Sequence, residues 1–214
     1  MTLVLDESTA RTAASVTSGN PPRRPVAVFR TEFDNRPVPL SFLWILAPFN
    51  AKLALVPETA YLSLGSNLGD RAANLREALA QLDVAGRLLA VSAFYETLPV
   101  DVPDQPWFLN CVAAIETDKT PRELLQLALR VETAMGRLRM REKGARKIDI
   151  DIVLFGDWVV DEPGLNIPHP AMHQRRFVLE PLVEIAPEAR HPALGKTTQE
   201  LLAALAGGQM VRRL

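Results

Sequence analysis

Three observations predict an α+β protein whose elements run strand, helix, strand, strand, helix, strand. Four segments, near residues 59–64, 88–97, 108–117 and 147–155, are apolar, β-branched or alternating in pattern, as strands are. Two segments with apolar residues at helical spacing lie between them, over about 70–84 and from 121 to 135. Gly, Pro, Asn and Asp cluster at the joints. This is the order of a ferredoxin-like βαββαβ sandwich, here followed by a C-terminal helical and hairpin addition.

Each element has its own signal. "TAYLSL" is a short strand that ends at "GSNLGD", and Leu75, Ala78, Leu79 and Leu82 then mark the first helix. "LLAVSAFYET" reads as the second strand, rich in β-branched and aromatic residues. The loop "LPVDVPDQP" leads to "FLNCVAAIET", the third strand. The second helix has Thr120 at the N-cap, Pro121 at N1 and Glu123 at N3, the pattern of a capping box. Its apolar stripe is Leu124, Leu127, Ala128, Val131 and Met135, and Gly136 stands in the stop position. "KIDIDIVLF" is the last strand, and Gly156-Asp157 suggests a two-residue hairpin to "WVV". "AMHQRRFVLEPLVEIAP" and "TTQELLAALA" predict two shorter helices.

Composition narrows the function. A 214-residue chain with 48% hydrophobic residues supports one ordinary domain, placed here at 58–207 with a tail over 208–214. Residues 1–57 hold seven of the 17 prolines and no sustained period, which predicts a disordered extension or a mis-assigned start. A net charge of −1 gives no global attraction to nucleic acid or membrane. "SFLWILAPF" is too short to span a bilayer. The single Cys111 excludes an internal disulfide framework and suits a reducing, cytoplasmic setting; in an apolar run it reads as a buried thiol rather than a nucleophile.

The chemistry concentrates around "KIDIDIVLF". Residues two apart in a strand share a face, so Asp149 and Asp151 lie together with Cα atoms roughly 7 Å apart. Asp is disfavoured in strands, and like charges so close call for a cation. Such pairs hold Mg2+ on phosphate oxygens; the alternative is a solvated polar face. Immediately before it, "GRLRMREKGARK" carries Arg137, Arg139, Arg141, Lys143, Arg146 and Lys147 against Glu142 alone. Basic loop and acidic pair together suit a triphosphate. A solvated loop or a nucleic-acid contact are the alternatives, and the loop lacks the aromatics that the latter needs. No P-loop or dinucleotide glycine motif occurs, and "GSNLG" alone does not make a phosphate site. His169, His173 and His191 lack the spacing of a zinc site. Glu132 borders the apolar stripe of the second helix, either snorkelling at its edge or looking into the site.

Four segments together resemble the 6-hydroxymethyl-7,8-dihydropterin pyrophosphokinases of folate biosynthesis: "LSLGSNLGDR", "YETLPVDVPDQPWFLNCV", "GARKIDIDIVLFG" and "IPHPAMHQRRFVLEPLVEIAPEARHP". The resemblance spans about residues 58–206. It implies an ATP- and Mg2+-dependent enzyme that moves pyrophosphate from ATP to the pterin hydroxymethyl group and releases AMP. It further implies a cytoplasmic monomer with no nucleic-acid or membrane partner. By this likeness Asp149 and Asp151 hold two Mg2+ ions, and Arg137, Arg146 and Asp151 are the catalytic residues. Glu132, Arg139, Arg146, Ile152, His169 and Arg175 contact ATP. Thr97, Leu98, Val100, Phe108, Asn110 and Phe177 bind the pterin, the two Phe rings sandwiching it. By themselves Phe108 and Phe177 would read as ordinary core. The chain departs from the family pattern in three places. Lys143 abuts Gly144, Ala145 replaces a common Pro, and Phe108 stands where Tyr is frequent. A nucleotidyltransferase, an RNA-binding module and an oligomerisation domain are the rival readings.

Overall fold

The computed structural model describes residues 56–99, 105–136, 144–205 and 207–214. The strands are β1 (Glu58–Ser66), β2 (Arg87–Val91), β3 (Tyr95–Thr97), β4 (Phe108–Thr117), β5 (Asp149–Phe155), β6 (Val160–Glu162), β7 (Leu165–Ile167) and β8 (Val211–Arg213). The helices are α1 (Arg71–Gln81), α2 (Pro121–Ala134), α3 (Arg176–Ile185) and α4 (Thr198–Ala204). The main sheet is antiparallel in order β5-β1-β4-β3-β8, with β2 also paired to β4.

Sequence chemistry explains the helices. Asp70 caps α1 by accepting from Ala73 N at 2.9 Å. The capping box on α2 is present, Thr120 and Glu123 each satisfying the other's backbone N–H. Thr197 and Glu200 repeat it on α4. After Met135, Gly136 takes φ +88°, which glycine adopts without a Cβ penalty.

Alternation along the strands divides the sheet into two faces. One carries Ala60, Leu62, Leu64, Leu109, Cys111, Ala113, Ile115, Ile148, Ile150 and Ile152 against the apolar stripes of α1 and α2. The other buries Val112, Val153 and Leu154 under α3 and α4 through Val178, Leu179, Leu182 and Leu201. Ile150 and Ile152 of β5, and Ile148 just before it, thus pack toward the α1–α2 core, as their period predicts. The registry between β1 and β5 slips by one residue, because Tyr61 pairs with Leu154 but Leu62 with Ile152. Val153 is the extra residue, so β5 bends there.

Three local readings are corrected. Residues 88–97 form two strands, not one. Ser92 breaks the run by accepting from Val112 N at 3.0 Å while its hydroxyl donates to Ala93 O. Gly156-Asp157 is a turn, with Trp158 N donating to Phe155 O at 2.9 Å, but it opens no hairpin to β5. β6 instead pairs with β7 across Pro163-Gly164, where Gly164 has φ +73°. The segment read as a tail contains β8, which extends the sheet beside β3.

Two predictions arise from burial. Cys111 is wholly buried, and burial pushes its thiol pKa up to about 12. At neutral pH the folded chain will leave a thiol reagent unconsumed until denaturant opens it; fast stoichiometric labelling of the folded chain would contradict this placement. His191 is 6% exposed, and burial first, then the neighbouring His173, lower its pKa below the ordinary 6.5. The unfolded chain then binds the proton before the folded chain does. Stability from this group is complete above pH 6.5 and is lost as pH falls toward the folded pKa. His191→Asn should flatten the fall in melting temperature between pH 7.5 and 5.5; an unchanged slope would refute the assignment.

Candidate functional site

The site forms on the sheet face opposite α1 and α2, beyond the part that α3 and α4 cover. Register assembles it. Asp151 pairs with Ser63, Asp149 pairs with Gly65, and Gly65 pairs on its other side with Asn110. Thr97 pairs with Phe108 one strand further on. Alternation puts Ser63, Gly65, Phe108, Asn110, Asp149 and Asp151 on this one face. The two aspartates and the polar residues assigned to the pterin are therefore brought together, with one glycine between them.

Asn110 is 4% exposed and Thr97 3%. The Asn110 Nδ2 group donates to Thr97 Oγ1 at 2.8 Å, which fixes the amide across the sheet. Phe108 is half-buried at the start of β4, and Leu98 is exposed at the rim. Phe177, near the start of α3, packs against the second core with the Arg175 guanidinium 5.6 Å above its ring.

On the acidic side, Arg146 Nη1 donates to Asp149 Oδ2 at 2.8 Å, with both side chains largely buried. The bulge at Val153 leaves its carbonyl to accept from His169 N at 3.0 Å, docking the His169 segment on β5. His169 Nδ1 accepts from Ala171 N at 3.2 Å, so the neutral ring carries its proton on Nε2. Burial first, then the Arg175 charge, hold the His169 pKa below its ordinary value; its own backbone bond and Asp149 oppose them. Arg175 Nη1 lies 3.5 Å from Nε2. Glu132 is 2% exposed and projects from α2 on the opposite side of β5, where Oε1 accepts from Ile150 N at 2.7 Å. It thus grips the backbone between the two aspartates. Ile152 belongs to the same buried face as Ile150. Val100, Arg137, Arg139 and the rest of the basic loop through Lys143 lie outside the described residues.

The sequence reading missed Asn67. It is 2% exposed, and its backbone N donates to Arg146 O at 3.1 Å while Oδ1 accepts from Arg146 N at 2.7 Å. Its Nδ2 donates to Gln105 Oε1 at 3.1 Å and Pro106 O at 3.3 Å. One buried side chain thereby ties the segment entering β4 to the segment entering β5. Arg71 reinforces the first of these, donating to Trp107 O and Glu96 Oε1, both at 2.8 Å. The signal was present in "GSNLGD": a polar residue just past a strand and before a capped helix, with no other structural duty.

The carboxylate pair suits Mg2+. Asp149 and Asp151 are hard oxygen donors on one strand face, neither fully buried, and Mg2+ takes one or two carboxylates and completes its shell with water and phosphate oxygens. Among the described residues no helix is long and apolar enough to cross a membrane.

Comparison with known proteins accords with this geometry. The family described as 7,8-dihydro-6-hydroxymethylpterin-pyrophosphokinase (HPPK) matches residues 61–187. The chain belongs to the HPPK family. A 2-amino-4-hydroxy-6-hydroxymethyldihydropteridine pyrophosphokinase of Methylorubrum extorquens is 45% identical over 148 residues, 68% of this chain and 92% of that one. The folic acid synthesis protein fol1 of Schizosaccharomyces pombe is 45% identical over 145 residues, 67% of this chain but only 20% of its own length. Among solved structures, a Plasmodium falciparum HPPK-DHPS triple mutant superposes with TM-score 0.58 at 19% identity, covering 71% of this chain and 46% of that one. That likeness concerns the fold. HPPK relatives therefore occur both as proteins of about this domain's length and as parts of much longer chains.

Proposed function

We propose that this chain transfers pyrophosphate from ATP to the hydroxymethyl group of 6-hydroxymethyl-7,8-dihydropterin, giving AMP and the pterin diphosphate of folate biosynthesis. One observation carries the reading beyond family membership. Asp149 and Asp151 share a sheet face with Phe108 and Asn110, two strands away, and with Thr97, three strands away. A phosphate-directed group and a heterocycle-directed group thus open on one cleft. The strand order β5-β1-β4 followed by β2 and β3 supports the ferredoxin-like reading of the core.

The residues divide the work. Asn110 reads the amide-like edge of the pterin, because it both donates and accepts, and Thr97 fixes which end does which. Phe108 and Phe177 offer aromatic faces to the flat ring. Asp149 and Asp151 would hold two Mg2+ ions, which supply positive charge to the triphosphate oxygens when bound. Arg146 adds a guanidinium at the same place, with Arg137 and Arg139 assigned to the loop before it. The His169 Nε2–H and Arg175 donate to phosphate oxygens; in the unliganded chain burial and the Arg175 charge hold the His169 pKa below its ordinary value. Glu132 and Ile152 are both almost wholly buried on the α2 side of β5, so they are assigned to the nucleotide through the strand edge: Glu132 by holding the Ile150 N–H, Ile152 by its backbone. The pterin hydroxyl oxygen bonds to the β-phosphorus, the bond from that phosphorus to the α-phosphate bridging oxygen breaks, and AMP departs. Asp151 or a water takes the hydroxyl proton. Little covalent work falls to the protein; positioning and charge carry the rate.

The test is product identity. With ATP, Mg2+ and the pterin, the full-length chain should form AMP in step with pterin consumption. Release of free pyrophosphate with a nucleotide left on the acceptor would favour nucleotidyl transfer instead.

A further inference from the structure

Gly65 stands at the centre of the cleft floor, its Cα in register with Asn110 on one side and Asp149 on the other. Its φ lies outside the left-handed region, so backbone conformation does not demand glycine here. Space does. A Cβ at this position would stand 2.7 Å from Asn110 Oδ1 and 3.7 Å from Phe108 Cδ1. The first distance is shorter than a Cβ tolerates. The amide of Asn110 lies over β1 because residue 65 has no side chain. Its other end donates to Thr97 Oγ1 at 2.8 Å. Both ends belong to one planar group, so displacing Oδ1 also pulls Nδ2 from Thr97. Asn110 is 4% exposed, so an Oδ1 displaced from this position gives up the Thr97 bond away from free solvent.

We propose that Gly65 is a positioning residue for pterin recognition: by leaving the floor bare, it lets the Asn110 amide lie in the orientation that reads the heterocycle. The inference rests on the pterin-binding role given to Asn110 above. Gly65 acts only through its neighbour and touches neither reacting group.

A double-mutant cycle tests this. The full-length chain, Gly65→Ala, Asn110→Ala and the double variant would be titrated by calorimetry with 6-hydroxymethyl-7,8-dihydropterin. A non-hydrolysable ATP analogue is held saturating, and its own binding is measured separately. Gly65→Ala should weaken the pterin at least tenfold and change the ATP analogue less than twofold. In the Asn110→Ala background the same glycine change should alter pterin affinity less than twofold, because nothing remains to clash. Undiminished pterin binding by Gly65→Ala, or an equal loss in both backgrounds, would overturn the proposal. If Gly65→Ala fails to fold, the double variant should fold, and its failure would show a purely structural glycine. An unaltered chain that binds no pterin would count against the functional reading instead. Gly65 is then judged by the Asn110 side-chain amide resonances, which Gly65→Ala must shift; unmoved resonances would refute it.

Discussion

Asp149→Ala and Asp151→Ala will each reduce pterin-dependent AMP formation by about 10³-fold, the scale on which removal of one preorganised charge-stabilising group is felt. The cause is local. Both carboxylates lie on the open face of β5, and neither contributes to the apolar cores that Ile150, Ile152, Val153 and Leu154 build. Substituting them removes charge from the cleft and leaves the packing of the strand intact. Neither change opens a cavity in those cores, so both variants should fold; Asp149→Ala, which unpairs the largely buried Arg146, should lose the more stability. Asp149→Ala additionally takes from Arg146 the carboxylate that its Nη1 reaches at 2.8 Å, leaving that guanidinium its Nε–H bond to Gly144 O at 3.2 Å. Asp151→Asn keeps the shape and removes only the charge; a comparable loss would show that charge, not volume, is what the site needs. Steady-state AMP release by chromatography, with circular dichroism for the fold, decides both. A variant that retains a tenth or more of the parental rate would detach these residues from the reaction.

Asn67→Ala is the second large effect. Three of the four hydrogen bonds of Asn67 come from its side chain, and they join Arg146 to Gln105 and Pro106. Truncation takes this partner from the Arg146 N–H and the Pro106 carbonyl at part-buried positions, a cost of about 0.5–1.5 kcal/mol for each bond lost. The melting temperature should fall accordingly. Activity should fall further than stability explains, by about 10²-fold, because the segments bearing Arg146 and Phe108 lose their common anchor and small misplacements at a reacting centre are expensive. Asn67→Asp separates the halves. It still accepts from Arg146 N but no longer donates to Gln105 and Pro106, so its KM for the pterin should rise more than its KM for ATP. Equal changes in both constants would assign Asn67 to general stability.

The parts legible in the sequence are those governed by near neighbours along the chain. The capping box of α2 is a matter of four consecutive positions, and Thr120 and Glu123 form it as read. Asp149 and Asp151 could be placed on one face because strand alternation needs no tertiary knowledge. What escaped depends on partners far along the chain. The bulge at Val153 arises from the registry of β5 on β1, and only the paired sheet shows that its carbonyl receives His169. "LLAVSAFYET" looks continuous, but Ser92 binds Val112, twenty residues on, and splits it. β6 has a turn on either side, and local sequence did not indicate that Pro163-Gly164 rather than Gly156-Asp157 closes a hairpin. Asn67 and Gly65 escaped for the same reason: the duty of one is to hold two distant segments, and that of the other is to be absent beneath Asn110. Phe108 and Phe177 could be separated from ordinary core only by the motifs around them. For Glu132 the local pattern fits both a snorkelling edge residue and a site residue, and the fold gives it the backbone of Ile150.

The most direct test of pyrophosphoryl transfer is a stoichiometric product count. Full-length chain would be incubated with ATP, Mg2+ and limiting 6-hydroxymethyl-7,8-dihydropterin, and all nucleotides and pterins separated by chromatography. One AMP and one pterin diphosphate for each pterin consumed, with no ADP and no AMP when the pterin is omitted, is the expected result. ADP with a pterin monophosphate, or AMP that forms equally without the pterin, would contradict it.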